Sequence, residues 1–465
     1  MSNDLLLRGG TLVTATDTYE ADLLVCDGRI SNIGEGLSAD CEILDVSGKL
    51  VIPGAIDTHT HLAHEIGRLG LATADDFHSG TIAAACGGVT TIVDFAVQHR
   101  GESLEQALAN RLPDAEGKAV IDFGFHIILT DVSEDILREI PHSIEMGCPS
   151  FKIYMTYRDK IVDDSGLLKV LEQSAEHGGL VYVHCENDCA VTHLIDKSLS
   201  HGEVAPRFHA HSRPPLVEGE ATNRALALAE LVGAPICVAH VTAAESLERI
   251  EAARYRGVSA FCETCPQYLV LTDDRYAADH GFDAAKFVCS PPLRDETHRQ
   301  ALWGGLRRGS IQQVSSDHAP FRFTDQKELG RKDFTKIPNG LPGIENRVAL
   351  LFSEGVSTGR LSLNRFVALV STNPAKLFGL YPTKGSLVIG ADADLAVIDP
   401  GCEQIIDYRK LHHQVDYSPY DGMCLRGVPV LTIARGMIVS RDGQPTISTG
   451  RGRFVPRRPW GNWDL

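Results

Sequence analysis

Five residues at the ends of apolar runs carry side chains able to bind a metal ion. His59 and His61 close LVIPGAIDTHTH, His184 closes LVYVH, His240 closes PICVAH, and Asp317 follows QVSS. Side chains alternate along a strand, so the i, i+2 spacing of His59 and His61 turns both imidazoles the same way. A lone histidine in such a place is usually a satisfied core or surface residue. Imidazoles and a carboxylate gathered at several strand ends are suitable zinc ligands, and their convergence on one mouth fits a catalytic site with open coordination positions. His126, in FGFHIIL, has no such partner pattern and reads as structural.

Lys152 lies inside the apolar strand SFKIYMTY, where an ammonium group is costly to desolvate and burial drives the amine toward neutrality. A neutral lysine amine can add carbon dioxide, and the resulting carbamate has two oxygens that can bridge two cations. Carbamate, Asp317 and a hydroxide would then offset most of the charge of two divalent zinc ions. An unmodified, protonated lysine would add repulsion. The alternative is a lysine that snorkels out from a strand end.

Residues so placed need strands that share one open end. Between residues 53 and 377, apolar runs alternate with helical patterns such as SLEQALANRL, TNRALALAELVG and AESLERIEAARYRG. That alternation predicts parallel strands with crossover helices. Eight candidate strands (LVIPGAIDTHTH, VTTIVDFAV, VIDFGFHIIL, SFKIYMTY, LVYVHCE, PICVAHVT, VSAFCETC and QVSSDHAP) suit an α/β fold closed as a (β/α)₈ barrel, whose catalytic groups project from the C-terminal strand ends. Short β-like segments in residues 1–52 and again in 378–450 predict a small β-sandwich domain made by both chain ends. Residues 322–347 predict a long loop over the barrel mouth. The basic, aromatic stretch 451–465 predicts an arm, either docked on a neighbouring subunit or lying on the surface.

The 465 residues suffice for a barrel and a satellite domain. Forty-four Lys and Arg against 61 Asp and Glu give a net charge of −17, which argues against a nucleic-acid or anionic-membrane partner and for a small neutral or polar substrate. The N-terminus lacks a basic and long apolar leader, and no run approaches the roughly 20 residues of a membrane span, so a cytoplasmic protein is expected. Twelve cysteines without a framing pattern suggest reduced, mostly buried thiols, and the lone pair Cys262 and Cys265 reads as structural.

The segments DTHTHL (57–62), SFKIYMTY (150–157), VHCEN (183–187), AHVT (239–242), ETCPQYL (263–269), SPPLR (290–294) and SSDHAPF (315–321) together resemble the dihydropyrimidinase and hydantoinase branch of the amidohydrolase superfamily. The resemblance runs from Pro53 through PNGLPGIENR at 338–347 to the closing β-segments. It implies that His59, His61, an N6-carboxylated Lys152 and Asp317 hold one zinc ion, and Lys152, His184 and His240 the other, with a hydroxide between them. It further implies that Tyr157 polarises the scissile carbonyl of a cyclic amide or imide and that main-chain groups of Ser290 and Asn339 grip the ring. Asp317 would shuttle the proton to the leaving nitrogen, and the product would be an N-carbamoyl amino acid. A homotetramer, or a homodimer, is the assembly implied.

Dihydroorotase-like relatives carry an arginine where this chain has Ala63, which disfavours dihydroorotate. Allantoinase is the nearer rival, since HLAHEIGR is loosely similar to its segment after the histidines. Cys185 and Asp188 depart from the usual alanine and glycine without being ligands. The segment 62–71, with His64, Glu65 and Arg68, departs from a purely apolar side-chain pocket. A non-catalytic scaffold of the same fold is the rival from another class; such proteins lose metal ligands, and all six are present here.

Overall fold

In the computed structural model, which describes residues 4–461, 463 and 465, eight parallel strands follow one another in chain order around a single sheet. They are β1 (Ala55–Asp57), β2 (Val89–Val97), β3 (Asp122–Ile128), β4 (Ser150–Tyr154), β5 (Leu180–His184), β6 (Ile236–Val238), β7 (Ala260–Thr264) and β8 (Gln313–Val314). Beyond the ends of β1 and β8 the chain stays paired: Thr60 bridges His318 in parallel, and His61 N–H donates to the His318 carbonyl at 2.9 Å. This joins the first strand to the eighth, so the architecture is the (β/α)₈ barrel with helices outside. Strands such as VTTIVDFAV are buried along almost their whole length, because a parallel barrel strand has the interior on one face and helices on the other.

Both chain ends form a second, nine-stranded sheet. Its middle is Leu50–Pro53, parallel to Leu5–Val13 on one side and antiparallel to Leu395–Ile405 on the other. Leu7, Leu12, Val25, Val397 and Ile433 pack in a core belonging to this sheet alone. The run LVIPGAID thus serves two sheets. Gly54 makes the handover: its N–H goes to Asp394 while the next residue's N–H goes to Gly88. A Cβ at Gly54 would stand 2.2 Å from Thr90 Oγ1, so no larger residue fits there.

The C-terminal arm, expected on a neighbouring subunit or on the surface, rests against its own chain with most of its described residues partly exposed. It lies across the barrel floor, away from the mouth. Phe123 N–H donates to Arg453, Val455 N–H to Phe123, Arg457 N–H to Gly147 and Trp460 N–H to Gly178, all at 2.8–3.0 Å. Phe454 stacks on Phe125 at 6.1 Å, and the Arg457 side chain is buried, donating to the Phe125 carbonyl. The start of β3 and the turns leading into β4 and β5 offer unpaired main-chain groups and apolar surface, and the arm satisfies both. Deleting residues 451–465 is therefore expected to cost about 3–5 kcal/mol, at about 1 kcal/mol per main-chain bond lost. A urea midpoint unchanged by the deletion would show that the arm does not support the fold.

Candidate active site

The C-terminal ends of the barrel strands open into one cavity. Among the residues lining it are His59, His61, His184, His240 and Asp317, together with Tyr157, Ser290 and Asn339. Only His184 lies within its strand; the others follow the strand ends, where the backbone turns to aim them. Tyr157, His240 and Asp317 have φ of 71°, 33° and 48°, in the left-handed region that side-chain-bearing residues seldom adopt. Three such residues in one cavity are conformational strain held in place by the surrounding fold, a pattern that clusters at functional sites.

His59 Nε2 and His61 Nε2 each stand 3.3 Å from Asp317 Oδ1, and His184 Nδ1 faces His240 Nε2 at 2.9 Å. The imidazole rings of His59 and His240 lie 5.4 Å apart and link the two groups. Donor atoms of His59, His240 and Asp317 all fall within 4.8 Å of one another. Burial pushes all four histidines toward the neutral form, His61 to about 3, and neutral imidazole is the form that binds a metal.

Behind this layer, carboxylates fix the rings. His59 Nδ1 meets Glu263 Oε1 at 2.5 Å, with the Tyr182 hydroxyl 2.8 Å away, and His184 Nε2 meets Glu186 Oε2 at 2.9 Å. Glu263 also accepts from the His240 N–H and from Ser315 Oγ. The Arg213 guanidinium and His184 hold Glu186 down to about 2, although burial alone would raise it. Each carboxylate takes one ring N–H outward and leaves the other nitrogen's lone pair directed inward, the arrangement that orients metal-binding histidines. Glu263, Glu186 and Tyr182 were not singled out in the sequence, although all three sit in quoted segments.

Lys152 lies beneath the histidines with no solvent exposure, and its Nζ has no hydrogen-bond partner. It sits 4.2 Å from the centroid of Tyr182 and 5.4 Å from that of Tyr154. Burial drives Lys152 down and Asp317 up, both toward their neutral forms. An unpartnered buried amine beside four inward-facing imidazole nitrogens and a carboxylate is a donor set that fits metal ions once the amine becomes an anion. Among the other expectations, His126 is a satisfied core residue, bonded to Ser150 Oγ at 2.7 Å and to the Thr58 carbonyl at 3.0 Å. All twelve cysteines are free, Cys262 and Cys265 among the buried ones.

The rim is built from segment 62–71 and the turn after Tyr157. Glu65–Ile66 and Leu71–Ala72 form a two-stranded ribbon, and Ile66, Arg68, His64, Asp159 and Lys160 line the cavity above the histidines. Lys160 Nζ donates to His64 Nε2 at 3.0 Å, and Arg68 reaches across the mouth to the Thr335 carbonyl at 3.1 Å. Residues 322–347 cover the opposite side and contribute Asn339 and Gly340.

A model of the amidohydrolase family matches residues 50–439. The chain is 49% identical to a D-hydantoinase of Geobacillus stearothermophilus over 459 residues, covering 98% of this chain and 97% of that one. It is 44% identical to a D-hydantoinase of Streptomyces coelicolor, covering 98% of each chain. Its structure superposes on the crystal structure of a dihydropyrimidinase from Brevibacillus agri with a TM-score of 0.96 at 45% identity, covering 99% of this chain and all of that one. No described helix is long and apolar enough to cross a membrane.

Proposed function

Because the chain belongs to the amidohydrolase family, in the dihydropyrimidinase and hydantoinase branch of cyclic amidohydrolases, we propose that it opens the rings of dihydropyrimidines or 5-monosubstituted hydantoins to give N-carbamoyl amino acids. The observation that carries this reading is the convergence of His59 and His61 on Asp317, and of His184 on His240, in one cavity with Tyr157. Residues 53–377 act in this reading as the catalytic barrel domain, residues 1–52 with 378–450 as its sandwich, and residues 451–465 as an arm. The working form is a cytoplasmic homotetramer or homodimer acting on a small molecule.

His59, His61, carboxylated Lys152 and Asp317 would hold one zinc ion, and Lys152, His184 and His240 a second. When bound, the ions supply a hydroxide nucleophile near neutral pH and polarise the scissile carbonyl. Tyr157 donates its O–H to the carbonyl oxygen as charge develops there; burial pushes its phenol up, so the donor stays protonated. Asp317 accepts a proton from the attacking group and passes it to the leaving nitrogen. Its carboxyl is raised by burial, which eases the transient protonation. Main-chain groups at Ser290 and Asn339 orient the ring beneath the rim.

A hydrolysis panel tests the reading: dihydrouracil, dihydrothymine, both hands of a 5-substituted hydantoin, allantoin and dihydroorotate. Turnover of the dihydropyrimidines or hydantoins is expected. Turnover of allantoin or dihydroorotate alone would overturn the substrate assignment. A pure, folded preparation with no stoichiometric metal and no turnover would instead identify a scaffold.

A further inference from the structure

Two cations at the cavity rim make no direct ion pair. Lys160 and Arg68 both line the cavity, and among the described residues neither has an acidic oxygen within 4.0 Å. Arg68 uses one N–H on the Thr335 carbonyl, and Lys160 uses one of its three on His64. Asp159, beside them on the rim, is exposed and favours the charged form of Lys160 without an ion pair to it, and Glu65 on the same ribbon is also exposed. His64 adds no charge: burial and the adjoining Lys160 hold it well below the usual imidazole range. Burial lowers Lys160 only to about 8, which keeps it cationic at neutral pH.

Their place is set by the residues around them. The Tyr154 ring has Lys152 Nζ at 5.4 Å and Lys160 Nζ at 5.5 Å from its centroid, so Lys160 stands one aromatic ring away from the metal-binding lysine. Its backbone N–H donates to the Tyr157 carbonyl at 2.8 Å, which ties it to the residue assigned to the scissile carbonyl. Arg68 stands close enough to lower the proton affinities of both Tyr157 and Lys160. A ring held over Asp317 would send its substituent outward past Ile66 toward these two cations.

We propose that the rim formed by Lys160 and Arg68 is a subsite for an anionic group, and that the preferred substrates are cyclic amides whose ring substituent is a short methylene stem ending in a carboxylate. The stem packs on Ile66, and the carboxylate accepts from the two free Lys160 N–H groups and from Arg68. A half-buried ammonium and an exposed guanidinium, each with N–H groups to spare, make stronger, charge-assisted bonds to such an end than to a neutral one. The anion sits at the end of the substituent, so the absence of an arginine at Ala63 does not oppose it. An aryl or branched alkyl substituent would cover the half-buried Lys160 ammonium without pairing it.

The test compares kcat/KM of the metal-loaded enzyme for 5-(2-carboxyethyl)hydantoin, for its neutral carboxamide isostere and for 5-phenylhydantoin. The acid is expected to exceed the carboxamide by about tenfold or more, the scale of an added charge-assisted bond. Lys160→Met is expected to lower kcat/KM for the acid at least about tenfold more than for the carboxamide, mainly through KM, with Arg68→Met giving a smaller change of the same kind. Equal or better use of the carboxamide or the phenyl compound, or equal losses for both substrates in both variants, would overturn the subsite. The inference rests on the ring-opening reading, so affinities of wild type and Lys160→Met for acid and carboxamide are also measured by calorimetry, which needs no turnover. A preserved affinity gap without hydrolysis would remove the proposed reaction and keep the subsite. Hydrolysis of hydantoins without that gap would do the reverse.

Discussion

Lys152→Ala is expected to lower turnover by at least about 10³-fold and to lose most of the bound metal, because in the proposed site a carboxylated Lys152 would bridge two ions and offset their charge. Lys152 Nζ is wholly buried and unpartnered, and its positive form depresses the proton affinities of His59, His184 and His240 around it. The same repulsion would act on any cation those rings tried to hold. Addition of carbon dioxide to the neutral amine reverses the sign and supplies two oxygens. Lys152→Arg should fail as well, since a guanidinium stays charged and forms no carbamate. A short carboxylic acid added to the alanine variant should restore part of the activity where it reaches the vacated space. Metal analysis and turnover check the first claim. An active, fully metallated enzyme whose mass shows a bare lysine would sink the carbamate.

Tyr157→Phe is expected to lower kcat by about 10²- to 10³-fold, the range for removing one oxyanion donor. KM should move far less, because the bond strengthens only as the carbonyl oxygen gains charge. Tyr157 lines the cavity beside His184, with ring centroids 5.3 Å apart, and its φ of 71° turns it there from the end of β4. Steady-state kinetics on one hydantoin suffice to check this. A kcat within a factor of about two of wild type would take Tyr157 out of the mechanism.

The barrel and the polar residues gathered at its mouth were legible because a parallel barrel obliges its strands to be apolar along their length, so a polar group ending such a run stands out. Lys152 stood out for the same reason, from inside a strand. Glu263 and Glu186 are equally buried carboxylates next to apolar runs and were passed over, although the same cost of burial calls for partners; which histidine each one holds depends on register and on turns that local spacing does not encode. The left-handed backbone at His240 and Asp317 has no sequence signal, since neither is glycine. Gly54 hid the change of sheet, because one continuous apolar run looks like one strand. Where the arm rests was not legible for a related reason: basic and aromatic residues mark a surface segment, but not the floor of the barrel, with Phe125 and the Gly147 and Gly178 turns, that receives it.

The shared sheet also sets an order of events during synthesis. Leu50–Pro53 has its antiparallel neighbour in Leu395–Ile405, so a growing chain must lengthen by about 340 residues before that neighbour exists. At about 5–20 residues per second, the strand waits about 20–70 s on the ribosome with one apolar edge open. The whole barrel is made in that interval, and its first strand begins two residues after the unpaired one. An open strand edge is a template for pairing with other chains, so the nascent protein is most exposed to misassociation at its N-terminal end, and its need for chaperone protection ends only when the last β-segments emerge.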